Sequence, residues 1–344
     1  MDCHLLSHGI SVEKNDLHDC CLTHLHNGRP FIIELNQNKT VNWEKVFELK
    51  HSLKNHKRTT EKNCVGCRLL TDERDYDKDN DYISHINLNH WNICNSRCIY
   101  CTREYNGGDK YYNILPMMKE LFEYNGGKNI VFYGELTFQG GEPTMLPEFE
   151  ELLRMFTSKK MPVRIHSSGI KYSPAIENGL NNNTVTLIIS PDTANPETYK
   201  KIKRVDCCER VWQNLENYAK AVQEENRLKA KFIIIPGYND SIDEVDNFIK
   251  RAKSIGINRL VWEIEGSYGA VYNYDIPNIG LLLDYAVNQT LLNNLTYEYY
   301  DGAIYVQNKR NSEKNENMEY FNKKYEILKE KYKFRNLDYS IYND

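Results

Sequence analysis

The alternation of strand-like and helix-like segments that begins near residue 84 constrains the fold most. Helical patterns in which apolar residues recur every three or four positions cover 146–156, 209–226 and 241–254. Strands that are each followed by a helix pair in parallel. Six units are too few for a closed eight-stranded barrel, so the pattern predicts an α/β fold, a partial (β/α)6 barrel. The six apolar segments with the length of strands are 84–89, 130–138, 162–167, 184–190, 231–236 and 259–264.

Three regions follow from this pattern. Residues 1–83 are polar, carry cysteines and do not share the alternation, so we expect a separate small module. Residues 84–308 form the predicted barrel, and 309–344 form a charged, helical tail. In a barrel of this type, chemistry takes place on the loops that follow the carboxyl ends of the strands.

Charge and hydropathy exclude several classes of function. The formal net charge is −4 and no basic block is present, so we expect no DNA partner. The first residues lack the apolar segment of a signal peptide, and no apolar run approaches the length that spans a bilayer. We therefore expect a soluble, cytoplasmic protein without membrane partners.

The ten cysteines are clustered and not scattered. In a reducing compartment such clusters indicate metal ligands more often than disulfides. Cys94, Cys98 and Cys101 form a C-x3-C-x2-C run directly after the first predicted strand of the barrel. Three thiolates on one loop can bind three irons of a [4Fe–4S] cluster and leave the fourth iron open. A zinc site and three core cysteines are the alternatives.

The cysteine spacing, with Tyr100 before the last cysteine, resembles that of the radical S-adenosylmethionine superfamily. Gly140, Gly141, Glu142 and Pro143 resemble the GGEP motif of the same family and end the second predicted strand. The resemblance covers roughly residues 84–265 and implies that this motif binds the methionine amino group of the cosubstrate. Glycines permit close backbone approach, and a carboxylate accepts hydrogen bonds from an ammonium group.

Weaker matches to the family follow the later strands. Each is also explained by ordinary turn chemistry. The resemblance implies that Ser168 is the small polar residue that the family often has after the third strand, and that Ser190 and Asp192 contact the ribose of the cosubstrate. It also implies that Arg204 contacts the cosubstrate carboxylate and that Pro236 lines the adenine pocket.

The resemblance also implies a reaction. An external electron donor of the flavodoxin or ferredoxin type reduces the cluster, and S-adenosylmethionine is cleaved to methionine and a 5′-deoxyadenosyl radical. This radical abstracts hydrogen from a substrate, as in the oxidoreductases, epimerases and crosslinking enzymes of the family. The catalytic side chains toward that substrate are not identified by the sequence.

The N-terminal cysteines resemble a SPASM-type auxiliary-cluster module, although such modules usually follow the barrel. The resemblance implies a second [4Fe–4S] cluster. Structural zinc and the absence of a metal are the alternatives. The implied ligands are Cys3, either Cys20 or Cys21, Cys64 and Cys67.

The substrate class is the least constrained inference. No obvious domain for binding a leader peptide is present, which favours a small, sugar-like molecule that is oxidised or rearranged. A peptide substrate, as in enzymes that modify ribosomal peptides, is the alternative. A non-catalytic iron–sulfur or zinc scaffold is a more remote one, because the cysteine trio and the GGEP segment are both intact.

Overall fold

The computed structural model describes residues 8–18, 32–35, 38–54, 82–101, 112–130, 135–265 and 276–299. The chain divides into two compact units. Unit 1 comprises Met1–Asn95, Glu104–His166 and Ser173–Thr186. Unit 2 comprises Ser96–Arg103, Ser167–Tyr172 and Leu187–Asp344.

Unit 1 contains a mixed sheet with the strand order β6-β5-β4-β1-β2-β3. Strands β6, β5, β4 and β1 pair in parallel, whereas β1 with β2 and β2 with β3 pair antiparallel. The strands are β1 (Gly9–Val12), β2 (Asp16–His18), β3 (Ile32–Glu34), β4 (His85–Leu88), β5 (Leu136–Phe138) and β6 (Val163–Ser167).

Among the described residues, four α-helices belong to unit 1, and one predicted helix is among them. The pattern at 146–156 becomes α3, shifted by a few residues, and its apolar stripe is buried. Phe156 lies against Phe138 of β5, with ring centroids 6.3 Å apart, and burial of such a side chain contributes about 1.5–3 kcal/mol. The helices are α1 (Trp43–Lys54), α2 (Leu115–Glu123), α3 (Phe149–Ser158) and α4 (Pro174–Asn181), with short 3-10 turns at Tyr124–Gly127 and Pro143–Met145.

Unit 2 contains a parallel sheet with the order β7-β8-β9-β10. Phe248 of the covering helix α7 lies 5.0 Å from Phe232 and 6.0 Å from Trp262, measured between ring centroids. These contacts bury one face of β8 and β9. The elements are β7 (Val185–Ile189), α5 (Pro196–Lys203), α6 (Cys208–Ala221), a 3-10 turn (Glu225–Arg227), β8 (Leu228–Ile234), α7 (Ile242–Ser254), β9 (Arg259–Ile264), α8 (Ile276–Leu292) and β10 (Thr296–Tyr299).

The predicted α/β class with parallel strands is confirmed. Five of the six predicted strands coincide with β4, β6, β7, β8 and β9 to within a few residues, and the described residues of the segment 130–138 include β5. The helix predicted at 241–254 begins at Ile242 because the Ser241 hydroxyl accepts the Glu244 amide hydrogen bond and caps its first turn.

The region 1–83 contains strands that the sequence analysis did not anticipate. β1 adds to the parallel sheet beside β4, with Ser11 opposite Asn87. The proposed boundary at residue 83 stays a prediction, because 55–81 lie outside the described residues, as does the tail 309–344. Among the helices in the described ranges, none combines the length and apolar character needed to cross a membrane.

Candidate functional site

The GGEP segment of unit 1 lies against the backbone that leads into Cys94. The amide of Gly141 donates to the carbonyl of Trp91 (3.2 Å), and the amide of Glu142 donates to that of Ile93 (2.8 Å). A Cβ atom on Gly141 would lie 2.0 Å from the Ile93 carbonyl oxygen. This contact is far too short, so the approach requires glycine.

Glu142 is buried and caps the 3-10 turn Pro143–Met145. Its Oε1 accepts hydrogen bonds from the amide of Thr144 (3.2 Å) and from the Thr144 hydroxyl (2.7 Å). The carboxylate is therefore held in one orientation at the carboxyl end of β5. Its contact with the cosubstrate amino group stays a prediction.

The three candidate cluster ligands are partly exposed thiols that form no disulfide. Cys94 belongs to unit 1, whereas Cys98 and Cys101 belong to unit 2, where the Cys101 amide donates to the Cys98 carbonyl (3.1 Å). No group of three His, Cys, Asp or Glu side chains in the described ranges could hold a single metal ion. A [4Fe–4S] cluster binds each thiolate to a different iron, and the role of these three cysteines as its ligands stays a prediction.

In unit 2, the cysteine loop is fixed to the carboxyl end of α5. The amide of Arg97 donates to the carbonyl of Lys203, and that of Ile99 donates to Ile202, both at 3.0 Å. The last carbonyls of a helix have no partner within the helix, so these bonds also complete α5. Ile99 and Tyr100 pack against the buried cluster of Ile202, Ile233 and Ile235.

Tyr100, Asp192 and Lys203 form a hydrogen-bonded group, here called the loop triad, in which Asp192 and Lys203 are buried and Tyr100 is half-buried. The Tyr100 hydroxyl donates to Asp192 Oδ2 (2.7 Å), and Lys203 Nζ donates to the Tyr100 oxygen (2.6 Å) and pairs with the same carboxylate oxygen. Burial, followed by the charges of Asp192 and Cys98, raises the pKa of Tyr100 well above its usual range. The tyrosine therefore stays protonated and donates its hydrogen to the carboxylate.

The structure shows the surroundings of two predicted cosubstrate contacts, which stay predictions. Asp192, expected at the ribose, is fully buried, and its Oδ1 accepts the Ile233 amide hydrogen bond (3.0 Å). Arg204, expected at the carboxylate, is exposed, and the buried basic residue is its neighbour Lys203. Lys203 and Arg204 differ in burial because α5 ends at Lys203, where Arg204 takes a left-handed conformation with φ 56°.

The remaining predicted contacts lie after strand ends in unit 2. Ser168 is half-buried and accepts a hydrogen bond from the Ile170 amide (3.4 Å). Ser190, directly after β7, and Pro236, two residues after β8, are also half-buried. Their contacts with the cosubstrate stay predictions, as do the N-terminal ligands, since Cys3, Cys20, Cys21, Cys64 and Cys67 lie outside the described residues.

Sequence reasoning missed the structural role of Asn239. Its side chain is fully buried and donates to the carbonyls of Asp192 (2.7 Å) and Ile233 (2.8 Å), while its Oδ1 accepts the Ile235 amide (2.7 Å). It thereby joins the end of β7 to the end of β8. The available signal was an asparagine two residues after the Pro-Gly pair that follows β8.

One face of the unit 1 sheet carries a row of polar side chains. Ser11 lies opposite Asn87, Asn87 opposite Thr137, and Thr137 opposite Arg164. Asn87 Nδ2 donates to the Ser11 hydroxyl (3.1 Å), and the last three residues of the row are partly exposed. The opposite face is buried and apolar, with Ile10, Val12, Ile86, Leu88, Leu136, Phe138, Val163 and Ile165 at most 3% exposed.

The polar row continues at the carboxyl edge of the sheet through Glu13. Its carboxylate accepts from Asn89 Nδ2 at 3.1 and 2.9 Å, and from the Ser11 hydroxyl at 3.1 Å. The hydroxyl of Tyr112 donates to its backbone carbonyl (3.0 Å). Glu13 follows β1, and β1 is parallel to β4, so this carboxylate lies at the edge of the sheet from which the cysteine segment starts.

Known proteins resemble part of this chain. GTP 3′,8-cyclase of Clostridium botulinum is 23% identical over 185 residues, which cover 53% of this chain and 56% of the relative. The S-adenosylmethionine-dependent nucleotide dehydratase of Flammeovirga pacifica is 28% identical over 136 residues, 36% of this chain and 44% of that protein. The chain thus spans about half the length of the curated relatives it matches.

A solved structure shares the fold. Streptococcus suis SuiB bound to the precursor peptide SuiA superposes with a TM-score of 0.50 and 13% identity, over 69% of this chain and 58% of SuiB. The family model of the Radical SAM superfamily matches residues 88–259, half of the 344-residue chain. This match includes the three cysteines and the GGEP segment, and the chain belongs to the Radical SAM superfamily.

Proposed function

We propose that this enzyme binds its [4Fe–4S] cluster through Cys94, Cys98 and Cys101 and acts on a small, polar, sugar-like substrate. Membership of the family implies the cluster and S-adenosylmethionine. When bound, they supply a 5′-deoxyadenosyl radical. The GGEP segment orients the cosubstrate, and an external donor of the flavodoxin or ferredoxin type supplies the electron.

The polar face of the unit 1 sheet is the observation that supports this substrate class. Parallel sheets are usually apolar on both faces, because helices cover both. Here Asn87, Thr137 and Arg164 are partly exposed on one face. A face of amide, hydroxyl and guanidinium groups favours a ligand rich in hydroxyl or phosphate oxygens over an apolar one.

The sheet of unit 2 has the same alternation. Lys229 pairs with Glu298 (2.7 Å) and Lys231 pairs with Glu263 (2.6 Å). The intervening residues Ala230 and Phe232 are fully buried. The strands of unit 2 therefore also alternate charged and apolar side chains.

The names of the relatives support the same class. GTP 3′,8-cyclase and the nucleotide dehydratase are both named for reactions of nucleotides, which contain a sugar. A peptide is the second candidate, because SuiB shares the fold and has been solved with a precursor peptide.

Turnover of S-adenosylmethionine distinguishes the two substrate classes. The reconstituted, dithionite-reduced enzyme is incubated with the cosubstrate and GTP, a nucleotide sugar or a synthetic peptide, and 5′-deoxyadenosine is quantified. We expect the nucleotide or nucleotide sugar to raise its release above the compound-free rate. Asn87→Ala should reduce this stimulation, whereas Arg154→Ala, on the exposed face of α3, should not. Stimulation by the peptide alone would contradict the proposal.

The N-terminal cysteines are proposed to hold a second [4Fe–4S] cluster. The C-x2-C pair of Cys64 and Cys67, together with the earlier Cys3 and Cys20 or Cys21, supplies four thiolates. Zinc analysis beside iron analysis tests this proposal. One zinc per chain would replace the cluster by a structural zinc site.

A further inference from the structure

We propose that the loop triad of Tyr100, Asp192 and Lys203 is a positioning device that fixes Cys98 and Cys101 in their iron-binding arrangement. The inference rests on the cysteine ligands named under the proposed function. It assigns Asp192 and Lys203 to the cluster loop and not to the cosubstrate.

The triad joins three elements at the residues that border the cysteines. Tyr100 lies between Cys98 and Cys101, Asp192 follows β7, and Lys203 ends α5. Lys203 also accepts the Arg97 amide through its backbone carbonyl. The residues that flank Cys98 are therefore held by both backbone and side-chain hydrogen bonds.

Burial makes this group costly to break. Asp192 is 0% exposed and Lys203 is 4% exposed. Removing one member of a buried ion pair leaves the other charge without compensation in a medium of low dielectric constant. The ammonium group also lies near the carboxyl end of α5, where a positive charge interacts favourably with the helix dipole.

The backbone of Asp192 supports a role beyond packing. Its φ of 62° is left-handed, a conformation that is uncommon for a residue with a side chain. Hydrogen bonds from Asn239 to its carbonyl and from Ile233 to its carboxylate hold it there. Conformations of this kind persist when the surroundings fix them, and they concentrate at functional sites.

The charges of the triad indicate that it positions the cysteine loop and does not attract the thiolates electrostatically. The Lys203 ammonium and the Asp192 carboxylate cancel, so the pair adds no net charge beside the cysteine thiolates. Tyr100 connects the charged pair to the cysteine loop. Its hydroxyl contacts both charged groups, and its ring packs on the cluster of Ile202, Ile233 and Ile235.

Tyr100→Phe is the central variant of the test, since it removes one hydroxyl and keeps the ring. Tyr199→Phe is the matched control, because the Tyr199 hydroxyl is buried in α5 and has no hydrogen-bond partner in the described part of the chain. The double variant Asp192→Asn/Lys203→Met removes both charges together, and Lys201→Met alters an exposed lysine of the same helix. The Cys98→Ala variant identifies the signal of the radical cluster.

The readouts are the fold of the unloaded protein and the retention of iron by the reconstituted protein. We expect Tyr100→Phe to keep the thermal midpoint of the unloaded protein within a few degrees and to lose iron to a chelator about tenfold faster, the factor for one hydrogen bond to a charged group. The double variant should also keep its thermal midpoint and lose iron faster. Tyr199→Phe and Lys201→Met should lose iron at the wild-type rate. The EPR signal that responds to S-adenosylmethionine should weaken in parallel.

Wild-type rates of iron loss in both Tyr100→Phe and the double variant would overturn the proposal. If the double variant does not fold, Tyr100→Phe alone decides. Persistence of the responsive EPR signal in Cys98→Ala would instead show that the proposed ligands are wrong, so failure of the triad and failure of the ligand assignment are distinguishable.

Discussion

The amide of Glu142 donates a hydrogen bond to the carbonyl of Ile93, with an N···O distance of 2.8 Å. This bond places the motif expected to bind the cosubstrate amino group beside the residue that precedes Cys94. Ile93 and Glu142 are 49 residues apart in sequence and are joined here by backbone atoms of unit 1. The proposed geometry of cosubstrate binding therefore depends on close packing of glycine against the cysteine segment.

Gly141→Ala should disrupt this packing. A methyl group 2.0 Å from the Ile93 oxygen must displace backbone, and overpacking of this kind costs about 1–3 kcal/mol. We expect a lower thermal midpoint and a more than tenfold loss of S-adenosylmethionine affinity, since 1.4 kcal/mol corresponds to about a factor of ten. Anaerobic titration calorimetry measures the affinity.

Gly256→Ala is the control for this variant. Gly256 has a positive φ of 83°, and no atom lies within 4 Å of the position that an alanine methyl group would occupy there. The substitution should cost about 1 kcal/mol of stability through its left-handed backbone and leave cosubstrate binding unchanged. Equal affinities for Gly141→Ala and the wild type would refute the role of close packing.

Cys98→Ala should abolish 5′-deoxyadenosine formation while preserving the fold. The cluster would lose one of its three protein ligands and could not be retained in an active form. Circular dichroism checks the fold, and chromatography of the products checks the cleavage. Efficient cleavage by this variant would refute the ligand assignment.

Replacement of Cys64 and Cys67 by serine should affect the second proposed cluster alone. We expect the loss of about four irons per chain, the content of one such cluster, with the S-adenosylmethionine-dependent EPR change retained. Iron content equal to that of the wild type would mean that these two cysteines bind no cluster.

His90 should make stability depend on pH. Its ring is 1% exposed, neither ring nitrogen has a hydrogen-bond partner among the described residues, and burial lowers its pKa to about 3. The unfolded chain binds a proton near pH 6.5, whereas the folded chain does not. Stability is therefore complete above pH 6.5 and falls as the pH decreases toward 3, by about 2 kcal/mol between pH 7 and pH 5.

Urea denaturation at pH 7 and pH 5 measures this effect. His90→Phe keeps an aromatic ring between Trp91 and Tyr112 and should lack the loss, whereas His51→Gln, which alters an exposed residue of α1, should retain it. A pH dependence of His90→Phe identical to that of the wild type would show that His90 is not its source.

The parallel strands and the cysteine trio could be predicted because their signals are local. Apolar runs such as 184–190 and 259–264 become buried strands almost without shift. The strand β1 could not be predicted in this way. It is four residues long, and its place beside β4 depends on pairing between segments more than seventy residues apart.

The roles of Asp192 and Lys203 were equally inaccessible to sequence reasoning. A polar residue at a strand end and a lysine at a helix end are compatible with ligand binding or with pairing to each other. Only the tertiary fold shows that these two side chains meet and are buried. The adjacent Arg204 has the same charge, and the end of α5 alone decides which of the two faces inward.

The central claim is that three cysteines hold a cluster with one iron open to the cosubstrate. Anaerobic iron and sulfide analysis, with EPR of the dithionite-reduced protein before and after addition of S-adenosylmethionine, tests it most directly. The account predicts about four irons per chain from this cluster, or about eight with the N-terminal cluster, and a signal that shifts when the cosubstrate is added. An iron–sulfur signal that the cosubstrate leaves unchanged would contradict it.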